Sequence, residues 1–210
     1  MRLGNISQTI LKRLPVYLNY LKSLPGEGPA NISATTIATV LNMGEVQVRK
    51  DLASVCGGGK PKIGYVTSEL IDALEIFLGY RDMDNAIIVG AGKLGCALLD
   101  YGGFEEYGMH IIAAFDTDEK NVVGQSASGK QILPLFKLGE LCRRIKVKIG
   151  IITVPSEQAQ AVCDMMTENG ILAVMNFASV NLKAPDDVIL QNENIASSLA
   201  LLSKKLTKSL

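Results

Sequence analysis

The chain has 210 residues, 48% of them apolar, and its 21 basic side chains balance 21 acidic ones. The apolar content suffices for a core and the length suits two small domains, while a net charge of +0 leaves any nucleic-acid contact to a local patch. Four scattered cysteines without a CxxC pair exclude a disulfide framework and a zinc site; with no signal-peptide pattern and no apolar run near the ~20 residues of a membrane span, a soluble, cytoplasmic protein is expected.

Up to Arg81 the pattern is helical with short connections. Ile10, Leu14, Tyr17, Leu18 and Leu21 keep helical spacing, with Pro15 as a kink or as the start of the main helix. Ser33 is placed to cap a second helix that turns Ile37, Val40 and Leu41 inward. A tight turn at Asn42-Met43-Gly44 leads to a third helix from about Glu45 to Val55, which is helix-turn-helix spacing. Gly57-Gly58-Gly59 then breaks the chain, Lys60-Pro61-Lys62 makes a basic tip, and Ile63 to Val66 returns as a strand, so the hairpin reads as a wing. An amphipathic helix from Ser68 to Leu78 ends at Gly79.

The boundary is expected at Arg81-Asp82-Met83-Asp84, because strands alternate with helices beyond it. Ala86 to Val89 is the continuous apolar run of a parallel strand buried on both faces. Ile111 to Phe115, Ile149 to Thr153 and Leu172 to Phe177 are further strands, separated by helices at Leu94 to Tyr101, Leu138 to Ile145 and Glu157 to Glu168. This alternation predicts an α/β, doubly wound parallel sheet of the Rossmann type. A last helix, Ile195 to Lys205, carries Leu199 and Leu202 on its apolar side. The expected division is 1–81, a winged helix-turn-helix DNA-binding domain; 82–192, a Rossmann dinucleotide-binding domain; and 193–210, a C-terminal helix.

Gly90-Ala91-Gly92-Lys93-Leu94-Gly95 is a GxGxxG loop directly after a strand and opening a helix. Gly90 permits the turn, Gly92 admits a pyrophosphate to the backbone amides, and Gly95 lets helix and strand pack closely. The next strand ends at Asp116, where an acceptor for the adenosine ribose belongs; its charge would repel a 2′-phosphate, so NAD(H) is favoured over NADP(H). No catalytic residue is expected. His110 reads as an ordinary edge histidine, and Cys96, in the first helical turn where a dipole lowers a thiol pKa, reads as a small packing residue.

On the third helix Gln47, Lys50 and Ser54 fall at i, i+3 and i+7 with Arg49 beside them, opposite a stripe of Val48, Leu52 and Val55. Arginine and glutamine pair bidentately with guanine and adenine edges, so this polar stripe reads as a recognition face, with Lys60 and Lys62 of the wing as further DNA contacts.

The chain resembles the Rex family of redox-sensing repressors along its whole length: Lys12-Arg13-Leu14-Pro15, Gln47-Val48-Arg49-Lys50-Asp51-Leu52, Gly64-Tyr65, the Gly90 to Gly95 loop, Phe115-Asp116, Val154-Pro155 with Ala159-Gln160, and Asn176-Phe177-Ala178. The resemblance implies a homodimer in which each C-terminal helix crosses to the partner. It also implies a palindromic double-stranded DNA operator, held with NAD+ and released with NADH, and adds Val154, Pro155, Asn176 and Phe177 to the cofactor site. Cys56 replaces a usual aromatic residue, the wing is unusually glycine-rich, and Ser179 replaces a proline. Asn19 and Asn194 stand where members carry an arginine and an aspartate that pair between domains, so the switch interface is uncharged here. The alternative reading is an NAD-dependent oxidoreductase with a helical accessory domain, for which the chain supplies no proton donor; a CoA-binding or structural α/β module is a further one.

Overall fold

A computed structural model describes residues 7–26, 28–81, 84–122 and 124–209, and the chain falls into two compact units, 1–82 and 83–210. Asp82 and Met83 of the expected boundary lie outside the described residues. In the first unit the elements run α1 (Gln8–Lys22), β1 (Asn31–Ile32), α2 (Ala34–Val40), α3 (Glu45–Cys56), β2 (Tyr65–Val66) and α4 (Thr67–Leu78). Pro15 sits inside α1, and Leu14, Tyr17, Leu18 and Leu21 form its buried stripe. They meet Ile37, Leu52, Leu70 and Leu74 in one core, where each fully buried leucine contributes about 1.5–3 kcal/mol of transfer free energy.

The Ser33 hydroxyl accepts from the Thr36 amide at 3.0 Å and so caps α2 as expected. Val40 departs from expectation and is 57% exposed. The buried residues of α2 are Ala34, Ile37 and Ala38, and the helix ends before the next inward position, so Val40 falls beside the stripe. The expected strand from Ile63 shrinks to Tyr65–Val66, paired antiparallel with β1. Residues 60–64 instead form the wing's tight turn, in which the Lys60 amide donates to the Gly64 carbonyl at 2.8 Å and the Gly64 amide returns to Lys60 at 2.9 Å. Gly64 adopts φ +85°, and a Cβ there would stand 2.3 Å from the Ile32 carbonyl oxygen, which is why glycine precedes Tyr65.

The second unit contains β3 (Asp84–Val89), α5 (Lys93–Leu99), β4 (Met109–Asp116), β5 (Gly124–Gln125), β6 (Gln131–Pro134), α6 (Leu138–Ile145), β7 (Ile149–Ile152), α7 (Ser156–Glu168), β8 (Ala173–Asn176), β9 (Ile189–Asn192) and α8 (Ile195–Ser209). The seven strands lie in the order β5-β6-β4-β3-β7-β8-β9, all parallel except the β5 edge. Without that edge strand this is the doubly wound order, whose direction reverses between β3 and β7. Neighbouring β3 residues serve opposite faces: Ile87 and Val89 pack with α6 and α7, Ala86 and Ile88 with α5. Both faces are thereby covered, as the apolar run predicts. The strands β6 and β9 were not expected, because β6 spans only four residues with two apolar ones, Ile132 and Leu133, and β9 has a single half-buried residue, Leu190.

Candidate functional site

Reversal of strand order opens a crevice at the carboxyl ends of β3 and β7, and the glycine loop lies there. Gly90 has φ +104°, and a Cβ on it would approach the Thr153 carbonyl to 2.8 Å; a Cβ on Gly95 would lie 1.8 Å from the Gly90 carbonyl oxygen. No atom stands within 4 Å of the Cβ position of Gly92, which borders the crevice. Two glycines are thus required by packing and the third keeps backbone open to a ligand, the arrangement a pyrophosphate requires. The Thr153 hydroxyl donates to the Gly90 carbonyl at 2.7 Å and braces the loop from the neighbouring strand.

Asp116 ends β4 beside this loop. Its Oδ2 accepts the Ala91 amide at 2.7 Å and the Asn121 amide at 3.1 Å, and its Oδ1 accepts the Asp118 amide at 2.8 Å. A carboxylate has about four lone-pair sites, so one on Oδ1 remains for a ribose hydroxyl. The cleft of about 350 Å³ is walled by Gly90, Gly92, Asp116, Thr153, Val154 and Pro155, with Asn121 and Gln158 as residues that sequence reading missed. A second hollow of about 520 Å³ shares Asp116 and Leu135 and adds the apolar Val122, Phe136 and Met165. Phe136 is 82% exposed there, a flat apolar surface suited to a purine.

The other cofactor candidates are placed differently. Lys93 and Leu94 lie exposed in the first turn of α5, and Ala91 is buried with its amide on Asp116. Asn176 is fully buried; its amide nitrogen donates to the carbonyls of Ala178 and Val180 and to Asn192 Oδ1, while its oxygen accepts from the Ala178 amide. Its side chain therefore shapes the loop after β8. Phe177 packs half-buried against the α5 face of the sheet. Cys96 donates to the Ala91 carbonyl at 3.1 Å, and burial, then Asp100 and Asp116, push its thiol up. His110 pairs with Glu105 at 3.1 Å on the surface.

In the first unit Gln47, Arg49, Lys50 and Ser54 all lie exposed on α3, while Val48 and Leu52 are fully buried opposite them. Arg49 pairs with Glu45 one turn back, and the Ser54 hydroxyl donates to the Asp51 carbonyl at 2.6 Å. A groove of about 360 Å³ joins this face to the wing and is bordered by Arg49, Lys60 and Lys62, with Ser33 and Thr35 of the α2 start. Asp51 is the residue the polar run concealed: it is 3% exposed and bonded to Arg13 and Tyr17 of α1. Cys56 donates to the Leu52 carbonyl at 3.0 Å, and burial pushes its thiol up to about 11. Asn19 is exposed on α1, and Asn194 caps α8 by accepting the Ser197 amide at 2.8 Å.

These features define a winged-helix nucleic-acid-binding unit followed by a Rossmann unit with a glycine-rich loop where its strand order reverses. Residues 5–53 match the family model "Putative DNA-binding protein N-terminus" and residues 81–180 match the CoA binding domain. The chain is 41% identical over 197 residues to the redox-sensing transcriptional repressor Rex of Treponema denticola, covering 91% of each. It is similar to the crystal structure of RSP with β-NAD+ and operator DNA (TM-score 0.90, 32% identity, 98% of this chain and 94% of that one). The structure of RSP with β-NADH is also similar (TM-score 0.83, 32% identity, 97% and 95%). The chain belongs to the Rex family of redox-sensing transcriptional repressors.

Proposed function

We propose that this protein is a cytoplasmic, homodimeric repressor that reads a palindromic operator and releases it when NADH occupies the Rossmann unit. The carrying observation is the coexistence of the Gly90 to Gly95 cradle and its Asp116 acceptor with an exposed, basic recognition face on α3. Residues 1–81 bind DNA, 82–192 bind NAD(H), and 193–210 supply the dimer helix. Among the described residues no helix is long and apolar enough to cross a membrane.

The dinucleotide acts here as an effector, so the chain carries out no hydride transfer. Gly90, Ala91, Gly92, Lys93, Leu94 and Gly95 cradle the pyrophosphate, Asp116 takes the ribose, and Val154, Pro155, Asn176 and Phe177 form or support the nicotinamide end. The two redox forms shift the operator equilibrium only by their differential affinity for the DNA-competent arrangement. On the DNA side, Gln47, Arg49, Lys50 and Ser54 face the major groove while Lys60 and Lys62 meet the backbone or minor groove. Asn19 and Asn194 are the two residues assigned to the switch.

α8 favours dimerisation: Ile195, Leu199, Leu202 and Leu206 repeat at helical spacing and are each more than half exposed. Such a stripe needs a partner surface. The CoA binding match suggests a second reading, which Asp116 disfavours because it would repel the 3′-phosphate of CoA as it repels the 2′-phosphate of NADPH. The deciding experiment titrates NADH, NAD+ and CoA into the full-length protein bound to a selected palindromic duplex. NADH should release the duplex, and NAD+ and CoA should not; release by CoA alone, or by none of the three, overturns the proposal.

A further inference from the structure

A recognition glutamine ordinarily offers an acceptor and a donor together, which matches the N6 and N7 edge of adenine. In this protein one half of that pair is already engaged. Asp51, buried in α3, is held as by a fork: Arg13 Nε donates to Oδ2 at 2.7 Å and Arg13 Nη2 donates to Oδ1 at 2.9 Å. The Tyr17 hydroxyl adds a third donation to Oδ2 at 2.8 Å. Burial pushes that phenol up to about 12, so it remains a donor. With the carboxylate fixed from two sides, the plane of the Arg13 guanidinium is fixed as well.

The same guanidinium also lies against Gln47, in the first turn of α3. With the Gln47 amide oriented so that its oxygen meets the guanidinium, that oxygen stands 2.8 Å from Arg13 Nε, whose one hydrogen it shares with Asp51, and 3.3 Å from Nη1. A guanidinium has donors and no acceptor, so only the oxygen end of the amide can face it. The amide NH2 is therefore turned away from Arg13, with two hydrogens and no acceptor to offer. Recognition helices touch base edges with their N-terminal residues, where Gln47 stands.

We propose that Arg13 and Asp51 are positioning residues that make Gln47 a donor-only reader, selecting an acceptor edge (guanine N7 and O6, or thymine O4) over adenine. This rests on the DNA-binding reading given above. It corrects the adenine pairing expected of a free glutamine, and the correction comes from a side chain 34 positions earlier in the chain.

The test is selection of bound sequences by full-length protein from duplexes with randomised half-sites, followed by affinities for single-base variants. Gln47→Ala should lose preference at one position per half-site, and the unmodified chain should prefer guanine or thymine over adenine there by about tenfold. The double change Arg13→Met with Asp51→Asn strands no charge and keeps an acceptor for Tyr17. It should abolish that preference or turn it toward adenine, while affinity for random duplex and NADH binding stay within about twofold. Gln47→Glu, which has acceptors alone, should move the preference toward cytosine or adenine. Unchanged preference in the double variant, or no position sensitive to Gln47→Ala, overturns the inference. If the unmodified chain enriches no sequence, the DNA-binding reading falls and takes this inference with it.

Discussion

The Asp116 carboxylate and the Ala91 amide meet at 2.7 Å, so one side chain fastens the glycine loop to the end of β4. Asp116→Ala removes a loop tether and, on the proposed reading, a ribose acceptor and the charge that opposes a 2′-phosphate. NADH affinity should fall about ten- to a hundredfold, the range of a hydrogen bond to a charged group, and NADPH should lose less. Calorimetric titration of both cofactors checks this; equal affinities in the unmodified protein would refute the assigned preference.

The three loop glycines should separate when each is changed to alanine. Gly95→Ala drives a Cβ against the Gly90 carbonyl and should cost about 1–3 kcal/mol or more in stability together with dinucleotide binding. Gly92 has φ −71° and open space around it, so Gly92→Ala should change stability by less than about 1 kcal/mol while still weakening NADH. Denaturant melts beside ligand titrations distinguish the two.

At the wing, Lys60→Ala should lower the salt dependence of operator binding by about one unit of slope, because on the proposed reading it removes a single phosphate contact. Base preference should be unaffected. An unaltered slope and affinity would remove the wing from the interface.

Leu199→Glu with Leu202→Glu places two charges on the exposed stripe of α8. Sedimentation should show a monomer that retains NADH binding and loses tight operator binding. A dimer of unchanged strength would place the interface elsewhere.

The switch interface is tested by a double-mutant cycle. Asn194→Asp preserves the cap on α8, since either residue accepts the Ser197 amide. Each of Asn19→Arg and Asn194→Asp alone should weaken operator binding by leaving a charge unpaired, whereas together they should strengthen it and raise the NADH needed for release, as an ion pair outweighs a neutral hydrogen bond of about 0.5–1.5 kcal/mol. Additive effects would show that the two positions do not meet.

Local chemistry made much of this protein legible from its sequence. The Ser33 cap, the run of Ala86 to Val89, the glycine spacing and the α3 stripe each depend on residues within a few positions of one another, so periodicity and capping were enough to find them. The position of Asp116 at the end of β4 beside the loop was legible too, because its distance from the loop follows from the length of a βαβ unit.

Tertiary structure decided what depends on distant partners. Strands β6 and β9 carry weak patterns and are strands because the sheet offers them a neighbour. Thr153 braces Gly90 from 63 residues away, and Arg13 engages Asp51 from 38 residues away. Gln47 and Lys50 share one exposed face, yet Gln47 lies against the Arg13 guanidinium, which decides how its amide is oriented. Helical spacing determines which way a side chain points, whereas the packing of α1 against α3 determines which of its atoms remain available, and no local pattern encodes that.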